Sequence, residues 1–132
     1  MALSFFKKGW NIIIHCNSSI EDAQSLSDEM NAQRENSAFI IQANLDNADD
    51  VLRLAETSLS LSGRIDGLIN NASTFYPTPM GSFSEEHWEA LMGSNLKAPL
   101  FLTQFLCETL RKNKGFITVS YTHLTLPTNH PV

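Results

Sequence analysis

Nowhere in this sequence does an apolar run approach the roughly 20 residues that a membrane-spanning helix needs, so no membrane partner is expected. The opening Met1-Ala2-Leu3-Ser4-Phe5-Phe6-Lys7-Lys8 carries its positive charge after its apolar stretch, the reverse of a signal peptide, and no cleavage-like segment follows. It reads instead as the last turns of a helix closed by Gly9, and the missing start is a first hint of truncation. Basic charge is scarce too. Nine Lys and Arg against 14 Asp and Glu give a net charge of −5, which offers no footprint for nucleic acid. The two cysteines, Cys16 and Cys107, have neither CxxC nor metal-ligand spacing. Both read as buried thiols in a reducing, cytoplasmic compartment, and no metal site is expected. Repeats, low-complexity tracts and linkers are absent, and 132 residues suit one domain rather than two.

What is present alternates. Asn11-Ile12-Ile13-Ile14-His15-Cys16 is a short, continuous, β-branched run of the kind buried on both faces of a parallel sheet. A capping-type turn, Asn17-Ser18-Ser19, leads to Ile20, Ala23, Leu26 and Met30 at helical spacing. A second strand spans 37–43, and Ala48, Val51, Leu52, Ala55 and Leu59 mark a helix stopped near Gly63. A third strand, 65–69, runs into Asn70-Asn71-Ala72-Ser73. A long helical segment opens at Ser84, with Trp88, Leu91 and Met92 facing inward, and runs to about Asn113 with a bend near Pro99. A fourth strand spans 115–119. Strands and helices alternating within about 30 residues predict βαβ units, a parallel sheet and right-handed crossovers: an α/β, doubly wound domain.

Three stretches stand out chemically. Asn70-Asn71-Ala72-Ser73 follows a strand at its carboxyl end, where open α/β sheets bind ligands, although an Asx turn would use the same residues. Gly93-Ser94-Asn95-Leu96-Lys97-Ala98-Pro99 breaks helix rules inside a helical stretch, as functional irregularities do and as a plain kink does. Ser73-Thr74-Phe75-Tyr76-Pro77-Thr78-Pro79 is a stiff loop whose Phe75 suits stacking on a planar heterocycle, or simply anchors the loop.

Taken in order, Asn70-Asn71-Ala72-Ser73 and the later Asn95-Leu96-Lys97-Ala98-Pro99-Leu100-Phe101-Leu102-Thr103-Gln104 resemble the short-chain dehydrogenase/reductase family, over Phe5 to about Thr118. Ser73 in place of the usual glycine, followed by Phe75-Tyr76-Pro77-Thr78-Pro79, looks like its pteridine reductase branch. The resemblance implies an incomplete Rossmann-type sheet made of family strands 2–5 over residues 1–119. It implies a catalytic role for Asn95, whose backbone carbonyl holds a water in a proton relay. Asn70, Ala72 and Ser73 would line the cofactor, with Asn44 and Leu45 beside the adenine. Ser73 and Phe75 would contact a pterin or folate-type substrate. His15, Asn17, Ser18 and Ser19 follow the strand that reads the cofactor ribose. No acid stands there to favour NAD, so NADP(H) is expected, although the arginine often found in this segment is missing. Family members are usually homotetramers built partly from the long helix.

The sequence also departs from that pattern. Its six glycines contain no GxxxGxG phosphate loop, and no Tyr-x-x-x-Lys pair is present, because Thr125 stands four residues after Tyr121. The family register puts a catalytic serine or aspartate near Thr122. Residues 120–132 resemble no part of the family and read as a foreign tail. The expectation is therefore a fragment without its first strand and catalytic end, inactive alone. The alternatives are a carbonyl reductase acting on 3-oxoacyl or sugar substrates, and a non-catalytic nucleotide-binding scaffold. Loss of a central strand would leave about 10 Å between its neighbours, twice the usual spacing, with backbone groups unpaired and the chain marginally stable.

Overall fold

The computed structural model describes residues 1–120, so the expectations placed on Tyr121, Thr122 and the rest of the tail lie outside the described residues. The chain divides into two compact units, Met1–Arg64 and a second that begins at Ile65.

In the first unit, helix α1 (Ala2–Lys7) leads into strand β1 (Ile12–Cys16), helix α2 (Ile20–Gln33), strand β2 (Ala38–Gln42) and helix α3 (Ala48–Ser62). The end of α1 is a Schellman motif. Gly9, at φ 97°, donates to Phe6, and Trp10 donates to Phe5. Strands β1 and β2 pair in parallel, with Ile12 beside Ala38 and Cys16 beside Gln42, as a strand–helix–strand crossover demands. Phe6, Met30 and Ala38 form the centre of the core, packed by Leu3, Ile12, Ile14 and Leu26, so α1 and α2 share one face of this pair. Helix α3 packs against β2.

A polar staple holds α2 to its strand. The Asn31 side chain accepts from the Ser37 and Ala38 N–H groups at 2.9 and 3.0 Å and donates to the Ala38 carbonyl. Ser37 is fully buried, and these bonds satisfy a turn that water cannot reach. Arg34 donates to the carbonyls of Phe6 and Trp10 while its guanidinium lies over the Phe6 ring at 4.4 Å, tying α1 to α2. Asn47 caps α3 by accepting from Asp50 N–H, and Gly63 ends it in the left-handed region at φ 72°.

The second unit holds strand β3 (Gly67–Asn70), helix α4 (Glu85–Met92), a π-helical turn over Gly93–Lys97, helix α5 (Ala98–Lys112) and strand β4 (Phe116–Val119). Strands β3 and β4 are again parallel, Gly67 beside Phe116 and Asn70 beside Val119. Helix α5 buries Ala98, Leu102, Leu106 and Leu110 and packs on β3. Gly115 is required where it stands, because a Cβ there would overlap the Asp66 carbonyl.

Each sequence expectation of an element is met, with bounds shifted by a residue or two. The four described strands form two separate two-stranded sheets, β1–β2 and β3–β4. Alternating, wholly parallel βαβ units make this an incomplete Rossmann-type fold.

Four details differ from the sequence reading. The bend expected near Pro99 is instead a π-helical turn at 93–97, within the stretch that breaks helix rules, and Pro99 follows it in the first turn of α5, where its fixed φ suits a helix. Trp88 is not inward: it is 53% exposed. Ile20, at the first position of α2, and Leu52 are exposed as well, because the buried faces of their helices run through Ala23, Ser27 and Met30 and through Val51, Leu54, Ala55 and Ser58. Cys16 is buried as expected, whereas Cys107 is only partly so, and both are free thiols.

Candidate functional site

The second unit brings the two family-like motifs together. Asn70, the last residue of β3, is buried, and its side-chain amide donates to the Thr118 carbonyl of β4. Its own carbonyl accepts from Ser120 N–H at 2.9 Å, which extends the strand pair by one bond. The chain then leaves the sheet through the exposed residues Asn71, Ala72 and Ser73. One residue later it is seized by the π-turn. Thr74 N–H donates to Asn95 Oδ1 at 3.0 Å, and Asn95 Nδ2 donates to the Thr74 carbonyl at 2.7 Å. Ser94 Oγ, buried, lies 2.8 Å from Thr74 Oγ1 and 3.3 Å from the Ala90 carbonyl.

A side-chain amide that pairs with both backbone groups of one residue fixes that residue as a strand neighbour would. The π-turn makes this possible: its wider ring turns Asn95 to a direction that neither flanking α-helix offers. Ser73 and Phe75 flank the clamped Thr74, and Phe75 is 66% exposed.

The far end of the loop is fixed separately. Ser84 Oγ accepts from His87 N–H, and Ser84 N–H donates to His87 Nδ1 at 3.0 Å, a reciprocal capping box at the start of α4. The His87 ring meets Tyr76 edge-on at 5.6 Å and Phe83 at 5.7 Å.

In the first unit, the remaining candidates gather at the carboxyl ends of β1 and β2. His15 Nε2 donates to the Ala43 carbonyl at 2.8 Å, so the ring braces the strand ends. Gln42 donates to the Asn17 carbonyl, and Arg53 donates to the Gln42 carbonyl. Asn17, Ser18 and Ser19 are exposed, and the Ser19 side chain makes no capping bond to α2. These amide and hydroxyl groups suit a ribose or its phosphate, although Glu21 and Asp22 in the first turn of α2 oppose a phosphate.

Asn44 is exposed. It folds an Asx turn in which its Oδ1 accepts from Asp46 N–H, and its own N–H donates to Asp50 at 2.8 Å. That donation, with the Arg53 guanidinium 3.5 Å away adding to it, holds the Asp50 carboxyl below the usual carboxylate range against an opposing desolvation. Leu45 is half-buried. Among the described residues, no cluster of His, Cys, Asp and Glu could hold a metal, and no helix is long and apolar enough to cross a membrane.

Sequence reasoning missed Thr74, Ser94 and His87. The first two lay inside motifs already singled out but carry no distinctive chemistry of their own. His87 stands three residues after Ser84. Capping-box spacing could have revealed it had histidine been allowed in place of Glu or Gln.

Parallel strands joined by helices, with amides and hydroxyls at their carboxyl ends, define a Rossmann-class protein. The chain belongs to the short chain dehydrogenase family, which it matches over residues 1–121. It is 31% identical to pteridine reductase 1 of Leishmania tarentolae over 151 aligned residues, covering 87% of this chain and 52% of that protein. It is equally, 31%, identical to the 3-oxoacyl-[acyl-carrier-protein] reductase FabG of Staphylococcus aureus over 118 residues, 89% of this chain and 48% of that one. Short-chain dehydrogenase/reductase FrzI of a Cladobotryum species is 25% identical over 120 residues, 91% of this chain and 46% of that relative. The chain thus spans about half the length of the curated relatives it matches.

Proposed function

We propose that the full-length protein carrying this segment is an NADPH-dependent reductase acting on a C=N bond of a dihydropterin or dihydrofolate, and that these 132 residues alone are inactive. The observation that supports this most is the two-way bond between Asn95 and Thr74, which holds Ser73 and Phe75 beside the π-turn. The cofactor, when bound, supplies the hydride. Asn70, Ala72 and Ser73 line its binding wall, and Asn44 with Leu45 lies by the adenine. Asn17, Ser18 and Ser19, with His15 bracing their strand, hold the ribose phosphate. Phe75 stacks on the pterin face.

Pro99 has no N–H to offer the Asn95 carbonyl four residues back, which leaves that oxygen without its ordinary α-helical donor and suited to holding a relay water. A tyrosine or aspartate outside the described residues supplies the proton. On the same reading the protein is a cytoplasmic homotetramer, for which light scattering after gel filtration should return four copies.

The reading is tested by NADPH oxidation with a dihydropterin and with a 3-oxoacyl thioester. We expect turnover of the pterin, preference for NADPH over NADH, and a roughly threefold to tenfold higher KM for the pterin in Phe75→Ala, the range of one aromatic stacking contact. Turnover of the thioester alone would establish the carbonyl reductase reading, which the FabG match at the same identity favours. No turnover of either, in an intact gene lacking Tyr-x-x-x-Lys, would leave a nucleotide-binding scaffold.

A further inference from the structure

We infer that His87 is a positioning residue: in its neutral form it latches the far end of the aromatic loop that follows β3, and protonation releases it. The inference rests on the proposed role of Phe75 at the substrate. The loop from Thr74 to Ser84 is held at each end. At its start, Asn95 grips both backbone groups of Thr74. At its end, Ser84 N–H donates to His87 Nδ1, while the ring packs against Tyr76 and Phe83.

The usual residue at this helix position is Glu or Gln, whose side-chain oxygen accepts whatever the pH near neutrality. Histidine accepts only while Nδ1 carries no proton, and it is the side chain whose charge changes nearest neutrality. A protonated ring has no acceptor for Ser84 and sets a cation at a helix N-terminus, where the dipole opposes it.

From the loop, the Tyr76 phenol is the titratable neighbour and Phe83 is apolar. On its own helix, Glu85 and Glu86 share the first turn, and among the described residues His87 takes part in no ion pair. Releasing Ser84 unties the α4 end of the loop that carries Phe75 and Tyr76. The consequence falls on substrate binding, not on the chemical step.

The test follows the full-length protein and its His87→Gln and His87→Ala variants between about pH 8 and about pH 5. In amide NMR spectra, the Ser84 signal should move as His87 titrates in the native protein and stay fixed in His87→Gln. The KM for the dihydropterin should rise on acidification over and above any rise in His87→Gln. The kcat profiles of the two should coincide. His87→Ala should show the raised KM across the range.

A Ser84 signal that ignores the titration of His87, or a His87→Gln KM profile that follows the native one, would overturn the latch. A protein that turns over no pterin while its Ser84 and Tyr76 signals titrate with His87 would sink the pterin assignment and uphold the latch.

Discussion

Asn95 shows how much can hang on one side chain. Replacing it with alanine leaves both backbone groups of Thr74 without their partner in a half-buried place, a loss of about 1–3 kcal/mol. A shift of the urea midpoint should report that loss, and Asn95→Asp should recover part of it, because a carboxylate still accepts from Thr74 N–H. Asp50 makes a claim of another kind. Its carboxyl is held low in the folded chain, so whatever it contributes is present above the unfolded value and is lost as pH falls through the folded one. The Asn44 amide resonance should therefore shift with a midpoint below the ordinary carboxylate range, and Asp50→Asn should abolish that transition. Single residues were unevenly readable from sequence. Asn95 broke a helix pattern and so announced itself, whereas Thr74 and Ser94 act on the loop through bonds that span some 20 positions.

The ends of the helices set where the site residues point. The end of α5 is a second Schellman motif: Lys114 donates to Arg111 and Gly115 to Leu110, with Lys114 itself at φ 51°. That backbone region strains any residue with a Cβ, so Lys114→Gly should raise stability by about 0.5–1 kcal/mol in urea unfolding. Gly115→Ala should lower it, since the added methyl meets the Asp66 carbonyl. Periodicity located each helix and strand because apolar spacing is a local property. Broken helix rules over 93–99 marked the irregularity, but the bend was set at Pro99, which looks like the disrupting residue until its place in a first turn is known. It also turned Trp88 inward, since hydrophobic character alone does not say whether a facing surface exists.

Taken whole, the described chain is two small sheets rather than one. Two-stranded sheets depend on helices for their stability, and the two units differ in that cover. The first has a shared core under α1 and α2 with α3 packed on β2, whereas Ile117 and Val119 of β4 are more than two-fifths exposed. Hydrogen exchange should therefore be slower for the β1–β2 amides than for β3–β4, and equal protection would contradict this. The 132-residue chain should unfold over a broad range near ambient temperature, and a sharp calorimetric transition would oppose that expectation. The parallel pairing of β1 with β2 and of β3 with β4 was foreseeable from alternation. How deeply each strand is covered was not, because a continuous apolar run looks the same whether or not its faces have partners.

The π-turn constrains how this segment can vary in length. Five residues there do the work of a turn that an α-helix completes with about four, so the stretch carries one surplus residue. Deleting that residue would let α4 and α5 merge into one unbroken α-helix, and everything beyond would rotate by about 100° relative to what precedes. Either Asn95 would lose its aim at Thr74 or the Leu102, Leu106 and Leu110 seam would leave its sheet. A shortening that tidies the helix is therefore the change this segment can least accept.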